Sequence, residues 1–462
     1  MRQITRTPPP NRLCPSARAR VLVLLALLAG CAHYKPAPIN PSASASELLA
    51  RRLNQPELLR FLAAMDVRPE GRWGLRALTL VAVYERPALT ISTFSYDAAQ
   101  ASVAVAGQIP NPTLSLAPTF NATQTVPSPI KIGPVISFLV SNLGARQAGI
   151  AAARDRAAAA RALIATAAWQ ERASVRDAML TLWLDERVAD LKRRIAAYAK
   201  AEAHLIAQRA QSGMVAETAL ATATETADQA EFDAVEAESQ VGQARAGLAA
   251  AIGMPATALQ GVTFRFGVFS HVSAPRDLPP LIRAALETRP SVTAAFARYR
   301  ASDAALKEAI DNQFPGLQIG PGYHYDQGDN KFILSLSLPL PVFNQNQGAI
   351  AKARAERRLA AAMVDRAQAH VLGQIDAAEA ALRSSEADMR SARQLTAVAR
   401  AQQRQAVQAF RAGASGRLSM VVAERQTLLV HEQELTAQAQ HLHALGRLAD
   451  ALHDPIFEEH PA

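Results

Sequence analysis

Between Gly149 and Gly213 the chain contains neither glycine nor proline, and the run is rich in Ala, Arg, Glu, Gln and Leu. Such residues lose little freedom in a helix. A continuous helix from about 145 to 211 would reach ~100 Å at 1.5 Å per residue. No globular domain encloses an element of that length, so it needs lateral neighbours along its whole extent, as in a coiled coil. The apolar stripe is narrow: Leu163, Val175, Met179, Leu182, Val188, Leu191 and Ile195 lie on roughly one side, and the opposite side is charged. Hydrophobic residues make up 49% of the 462-residue chain but aromatics only 5%, which favours alanine-rich helices over an aromatic core.

The same plan occurs twice. Residues 78–114 match 281–317: Leu78 with Leu281, Arg86-Pro87 with Arg289-Pro290, Tyr96 with Tyr299, Pro112 with Pro315, Leu114 with Leu317. After a small shift in offset, Ile150-Ala151 matches Ile350-Ala351 and Gly213 matches Gly413. This order reads as a tandem duplication. Each copy predicts a helix after Arg-Pro (87–108 and 290–312), two alternating segments, a very long helix, a glycine turn and a return helix. The helices after the turns fall at about 217–253 and 417–453, and the second long one at 349–411, with a bend expected at Gly373. The organisation is therefore a leader at 1–30, an N-terminal segment and first copy at 31–262, a linker at 263–280, a second copy at 281–455 and a tail at 456–462.

The leader has Arg2, Arg6, Arg12, Arg18 and Arg20 ahead of the apolar run 21–29, which is too short to span a bilayer and has a secretory signal layout. It ends Leu28-Ala29-Gly30-Cys31, which resembles a bacterial lipobox, so Cys31 is expected to carry lipid (palmitate). Residue 32 is Ala, so the aspartate that signals inner-membrane retention is absent. After cleavage Cys31 is the one remaining cysteine, which excludes an intramolecular disulfide. The leader also carries five of the nine net positive charges, leaving +4 for residues 31–462. With no basic face interleaved with aromatics, nucleic acid is not an expected partner.

Four segments alternate with period two. In Pro112–Asn121, Leu114, Leu116 and Phe120 alternate with Ser115, Thr119 and Asn121; in Lys331–Leu340, Phe332, Leu334, Leu336 and Leu338 alternate with a face holding Ser335 and Ser337. Pro315–Asp326 puts Leu317, Ile319, Tyr323 and Tyr325 opposite Gln318, Gly320, Gly322, His324 and Asp326, and Val135–Ser141 alternates less cleanly. Segments of ~10 residues with one apolar face suit lipid-exposed barrel strands. Four strands per chain cannot close a barrel, and an open edge is not tolerated in lipid, so several chains must contribute. The expected fold is mainly α with transmembrane β: long helical hairpins plus four strands per chain. Three chains would supply twelve strands and a ring of helices around one lumen.

These features resemble the TolC-type outer-membrane efflux factors, over about residues 45–455. The resemblance is carried by the duplicated plan, by Arg289-Pro290 followed by Tyr299 and Phe314-Pro315-Gly316, and by the first turn Gly213-Met214-Val215-Ala216-Glu217-Thr218. The junction Leu338-Pro339-Leu340-Pro341-Val342-Phe343-Asn344-Gln345-Asn346-Gln347-Gly348 resembles the CzcC-like, heavy-metal cation efflux branch. The resemblance implies a homotrimer in the outer membrane, resting in its lipid and reaching into the periplasm. It implies docking at the helical tips, Gly213, Met214, Val215 and Gly413, Ala414, Ser415, with a periplasmic adaptor (membrane fusion) protein and an inner-membrane resistance-nodulation-division pump. It also implies a passive conduit with no cofactor. In well-known members, aspartates six and nine residues beyond the second tip glycine narrow the pore; here those positions are Ser419 and Val422. The nearby acids Glu217, Glu225 and Glu424 are the candidate pore-mouth residues, with solvated helix surface as the plainer reading.

No His-Glu-x-x-His, phosphate-binding loop or nucleophile elbow is present, and Gly413-Ala414-Ser415-Gly416 follows a helix, so no enzyme is expected. The scattered histidines, with no cysteine partner, do not predict a metal site. Two other assignments remain open at this stage: a multidrug or type I secretion channel of the same family, and a lipid-anchored coiled-coil scaffold in the periplasm with no pore.

Overall fold

The computed structural model describes residues 33–120, 122, 130–270, 272–326 and 328–457. The expected leader and Cys31 lie outside the described residues. Two units separate by contacts, residues 1–50 and 51–462. In the first, helix α1 (Pro41–Ala50) is exposed throughout, and its start is capped by Asn40 Oδ1, which accepts from the Ser42 and Ala43 amides.

The second unit is built on two helices close to the lengths expected from the sequence. Helix α5 (Leu143–Gln211) has 69 residues and α9 (Gln347–Arg411) has 65; α9 passes through Gly373 as one helix. Beside each lie two shorter helices placed end to end. Along α5 run α4 (Pro87–Gly107) and α6 (Glu217–Ala251); along α9 run α8 (Pro290–Asp311) and α10 (Arg417–Leu452). Helices α8 and α10 also pack on α5. The four columns therefore stand in the order α4/α6, α5, α8/α10, α9.

An arginine holds each end-to-end joint. Arg86, at the start of α4, donates to Glu171 of α5 at 2.5 Å and to the Ala251 carbonyl at the end of α6 at 3.5 Å. Arg289, at the start of α8, donates to Gln374 of α9 at 2.7 Å and to the Ala451 carbonyl of α10 at 3.3 Å. The Arg-Pro pair is thus read twice: the proline starts a helix without a wasted N–H, and the arginine satisfies a carbonyl that the neighbouring helix end leaves open.

The main core surrounds the middle of these columns. Short helices α2 (Pro56–Ala64), α3 (Leu75–Glu85) and α7 (Leu278–Thr288) join it, with Leu58, Leu62, Leu78, Met179, Leu182, Leu248 and Leu445 fully buried. Each such leucine contributes about 2 kcal/mol by leaving water. Strand β1 (Arg72–Trp73) pairs in parallel with β6 (Thr263–Phe264), and Phe269 is buried against Trp183 and Phe457. Val268 and Phe269, between the two copies, therefore belong to the core.

The remaining strands form one antiparallel sheet. They are β2 (Thr113–Leu116), β3 (Thr119–Phe120), β4 (Ile130–Ile132), β5 (Pro134–Val140), β7 (Leu317–Asp326) and β8 (Asp329–Ser337). Ile132 pairs with Tyr325 and Val135 with Gly322 in one register, so β4 and β5 are one strand interrupted at Gly133. A Cβ there would run into the Tyr323 carbonyl and come within 2.7 Å of His324 Cα, which explains the glycine. Likewise β2 and β3 are one line broken at Ala117-Pro118. The expected bounds shift in three places: 112–121 is divided, 135–141 begins earlier, and the last strand ends at Ser337. Pro339 and Pro341 follow that end and cannot donate to a ladder. The lateral order, β2/β3, β4/β5, β7, β8, repeats the order of the helical columns from which the strands extend.

Candidate channel wall and tips

Register fixes the two faces of the sheet. Leu114 pairs with Ile136, Phe138 with Ile319, Ile319 with Leu336 and Tyr323 with Phe332, so one face is apolar across all four lines. That face is bare in the single chain: Leu114 is 67% exposed and Phe332 88%. The opposite face is small or polar, with Ser115 beside Val135, Gly320 beside Ser335 and His324 beside Lys331. Such a sheet has lipid chemistry on one side and water chemistry on the other. Among the described residues, the outer edges of β2/β3 and β8 find no strand within the chain. Both flanking columns expose apolar side chains as well: Ile91, Phe94 and Phe232 on α4/α6, and Leu359, Leu395 and Val398 on α9.

At the other end of the columns both hairpin turns use one device. Gly213 has φ +70° and Gly413 φ +71°. The Met214 amide donates to the Arg209 carbonyl at 2.9 Å, and the Ala414 amide to the Ala409 carbonyl at 2.8 Å. These are Schellman closures, which a side chain at the left-handed position would strain. Gly213, Met214, Gly413 and Ala414 are exposed, while Val215 and Ser415 are half-buried. The hairpins stand side by side, because Arg425 of α10 donates to Glu202 of α5 at 2.8 Å. A groove of about 600 Å³ between them is lined by Arg209, Gln402, Leu418, Ser419, Val422 and Gln426. Glu217 and Glu225 are exposed on α6, whereas Glu424 is half-buried on α10, two columns away.

Higher up, Lys192 of α5 lies 3.0 Å from Glu432 of α10 and 3.5 Å from Asp233 of α6, tying three columns together. Burial works against its ammonium, but the hydrogen bonds and charges of Glu432 and Asp233 outweigh burial and hold its pKa above the ordinary value. Arg176 is buried and forms a bidentate pair with Asp450, at 2.9 and 2.7 Å. Sequence reading missed this residue, since an arginine in an alanine-rich helix looks like surface. One signal was available: Gly446, inside α10, where a Cβ would come within 2.9 Å of the guanidinium.

A profile of the outer membrane efflux protein family matches residues 81–254 and 281–452. The chain belongs to that family. One matched stretch lies largely in the first half of the chain and the other in the second half. Its fold is also that of solved channels. VceC from Vibrio cholerae is 19% identical with TM-score 0.64, over 82% of this chain and 95% of that one. The open-state MtrE channel of Neisseria gonorrhoeae is 18% identical with TM-score 0.62, over 83% and 89%. CusC, described in connection with transmembrane channel formation, is 16% identical with TM-score 0.65, over 82% and 91%. Compared by sequence with curated proteins, the chain has no significant match. As an outer membrane efflux protein it is an outer-membrane transport conduit and not an enzyme.

Among the described residues, no helix is long and apolar enough to cross a membrane, and no three His, Cys, Asp or Glu side chains are grouped to hold a metal ion. The polar junction before α9 is spent on folding: Asn346, in left-handed conformation at φ 63°, donates from its amide side chain to the Ala309 carbonyl at 2.7 Å. Asn344 accepts from the Asn346 amide, and Gln347 from the Gln345 amide, both at 2.9 Å.

Proposed function

We propose that this chain is one of three copies forming the passive exit duct of a tripartite efflux system, and that the duct exports heavy-metal cations. Cargo enters from an inner-membrane resistance-nodulation-division pump through a periplasmic adaptor. The pump supplies the energy. The observation that carries the assembly is the coincidence of open edges. Strand order and column order are the same, so the unpaired β2/β3 line stands over the apolar flank of α4/α6, and the unpaired β8 stands over that of α9. The two flanks differ, so contact between copies is head to tail, and in this reading the rotation from copy to copy closes the row into a ring of three. Twelve strands from three copies remove every edge from lipid.

In this reading Cys31 carries the lipid anchor. The adaptor docks at Gly213, Met214, Val215 and Gly413, Ala414, Ser415, and Glu217, Glu225 and Glu424 repeat three-fold near the periplasmic mouth. The metal assignment is supported by the resemblance of the junction before α9. The test is retention of cobalt, zinc and cadmium, and separately of a cationic dye, in cells lacking the gene and in cells given it back. Restored metal export supports the proposal. Restored dye export alone overturns the cargo, and no effect on either overturns the duct.

A further inference from the structure

The polar face of the sheet carries its charge in one belt. Among the described residues of these strands, the charged side chains on that face are Lys131, Asp326, Asp329 and Lys331, with His324 beside them. The rest of the face is glycine, hydroxyl, amide or aliphatic. Register brings the belt together: Lys131 pairs with Asp326, Asp326 with Asp329, and His324 with Lys331. All lie at the hairpin end of β7 and β8, the end farthest from the helices. Asp326 is the hub. Its Oδ2 is 2.9 Å from Lys331 Nζ and 3.8 Å from Lys131 Nζ.

We propose that Asp326 sets the charge selectivity of the channel's outer end by completing, together with Asp329, the balance against the two lysines that face the lumen beside it. This rests on the reading that the sheets close around a lumen. Two lysines and two aspartates per chain sum to zero, so the outer end presents no net barrier to cargo of either sign. Three copies turn any single imbalance into a ring of three like charges at one height. Removal of the Asp326 carboxylate leaves a positive ring, and removal of the Lys331 ammonium leaves a negative one. In a lumen with low-dielectric walls such a ring raises the local concentration of the opposite ion. The effect is largest at low ionic strength, where the screening length is ~30 Å at ~0.01 M salt.

The experiment is the zero-current potential of the full-length protein in a planar bilayer between ~0.1 and ~0.01 M KCl, which gives the ratio of potassium to chloride permeability. Asp326→Asn is expected to lower that ratio about threefold and Lys331→Gln to raise it by a similar factor, from the change of three ring charges. The double variant, again neutral, returns to the wild-type ratio. If Asp326→Asn does not assemble, Lys331→Gln and the double variant decide. Conducting variants with unchanged ratios overturn the role of Asp326 while leaving the channel intact. A wild-type protein that passes no current overturns the lumen itself, and the assignment with it.

Discussion

The two arginines at the helix joints show how near-identical residues acquire different roles from one partner. Glu171 is 5% exposed and meets Arg86; the corresponding partner of Arg289 is the neutral Gln374. Burial lowers the Arg289 pKa, with the charge of Asp450 only partly opposing it. Arg86→Met strands a buried carboxylate and is expected to cost about 3 kcal/mol. Arg289→Met removes a bond to a neutral amide and is expected to cost about 1 kcal/mol. Denaturant unfolding of both variants in detergent checks this; equal losses would contradict it. The Arg-Pro pairs were legible in sequence, as were the turn glycines. The joints were not, because the Glu171 and Ala251 partners come from distant parts of the chain. Arg176 was hidden for the same reason, since Asp450 lies 274 residues away.

Among the elements, the long helices were read almost to the residue, because a proline-free run rich in strong helix formers leaves the backbone one cheap conformation, even across the single interior Gly373 of α9. The strands were read by face more accurately than by boundary. Alternation survives a break such as Gly133 or Pro118, whereas ladder ends depend on the partner strand. Replacing Gly213 or Gly413 by valine puts a β-branched residue at positive φ, a cost of at least about 1–2 kcal/mol. Hairpin closure and adaptor capture should fall while membrane insertion persists; normal export by both variants would count against the tip assignment. Helix α10 has a second liability. Burial lowers the pKa values of His441, His443 and the C-terminal His453; Arg393 adds to it at the first, Arg176 and Arg447 at the second, and Arg289 and Arg172 at the third. Glu386, Asp177 and Asp450 oppose these effects without cancelling them. The folded state therefore favours neutral rings, and the unfolded state binds more protons. Stability should be full above about pH 6.5 and fall as the pH drops below it. His453 stacks on Trp169 at 4.1 Å and has φ 59°, where the first copy has Gly253 at φ 73°. His453→Gly is expected to flatten part of that decline in melting curves taken across this range; an unchanged slope would exclude His453 as a contributor.

At the scale of the whole molecule, residues 51–462 form a wall segment with two unlike flanks and a sheet whose edges are open. A bare apolar sheet face and unpaired backbone edges are tolerable only in an assembly that supplies lipid to one and strands to the other. The sequence disclosed the need for several copies through the count of strands. It did not disclose which columns lie at the flanks, since lateral order arises from packing between copies of the repeat. Native mass spectrometry of the full-length protein released from outer membranes in mild detergent tests the claim most directly. The account predicts a complex of three chains that keeps its β-sheet signal. A stable single chain with that sheet intact would contradict it.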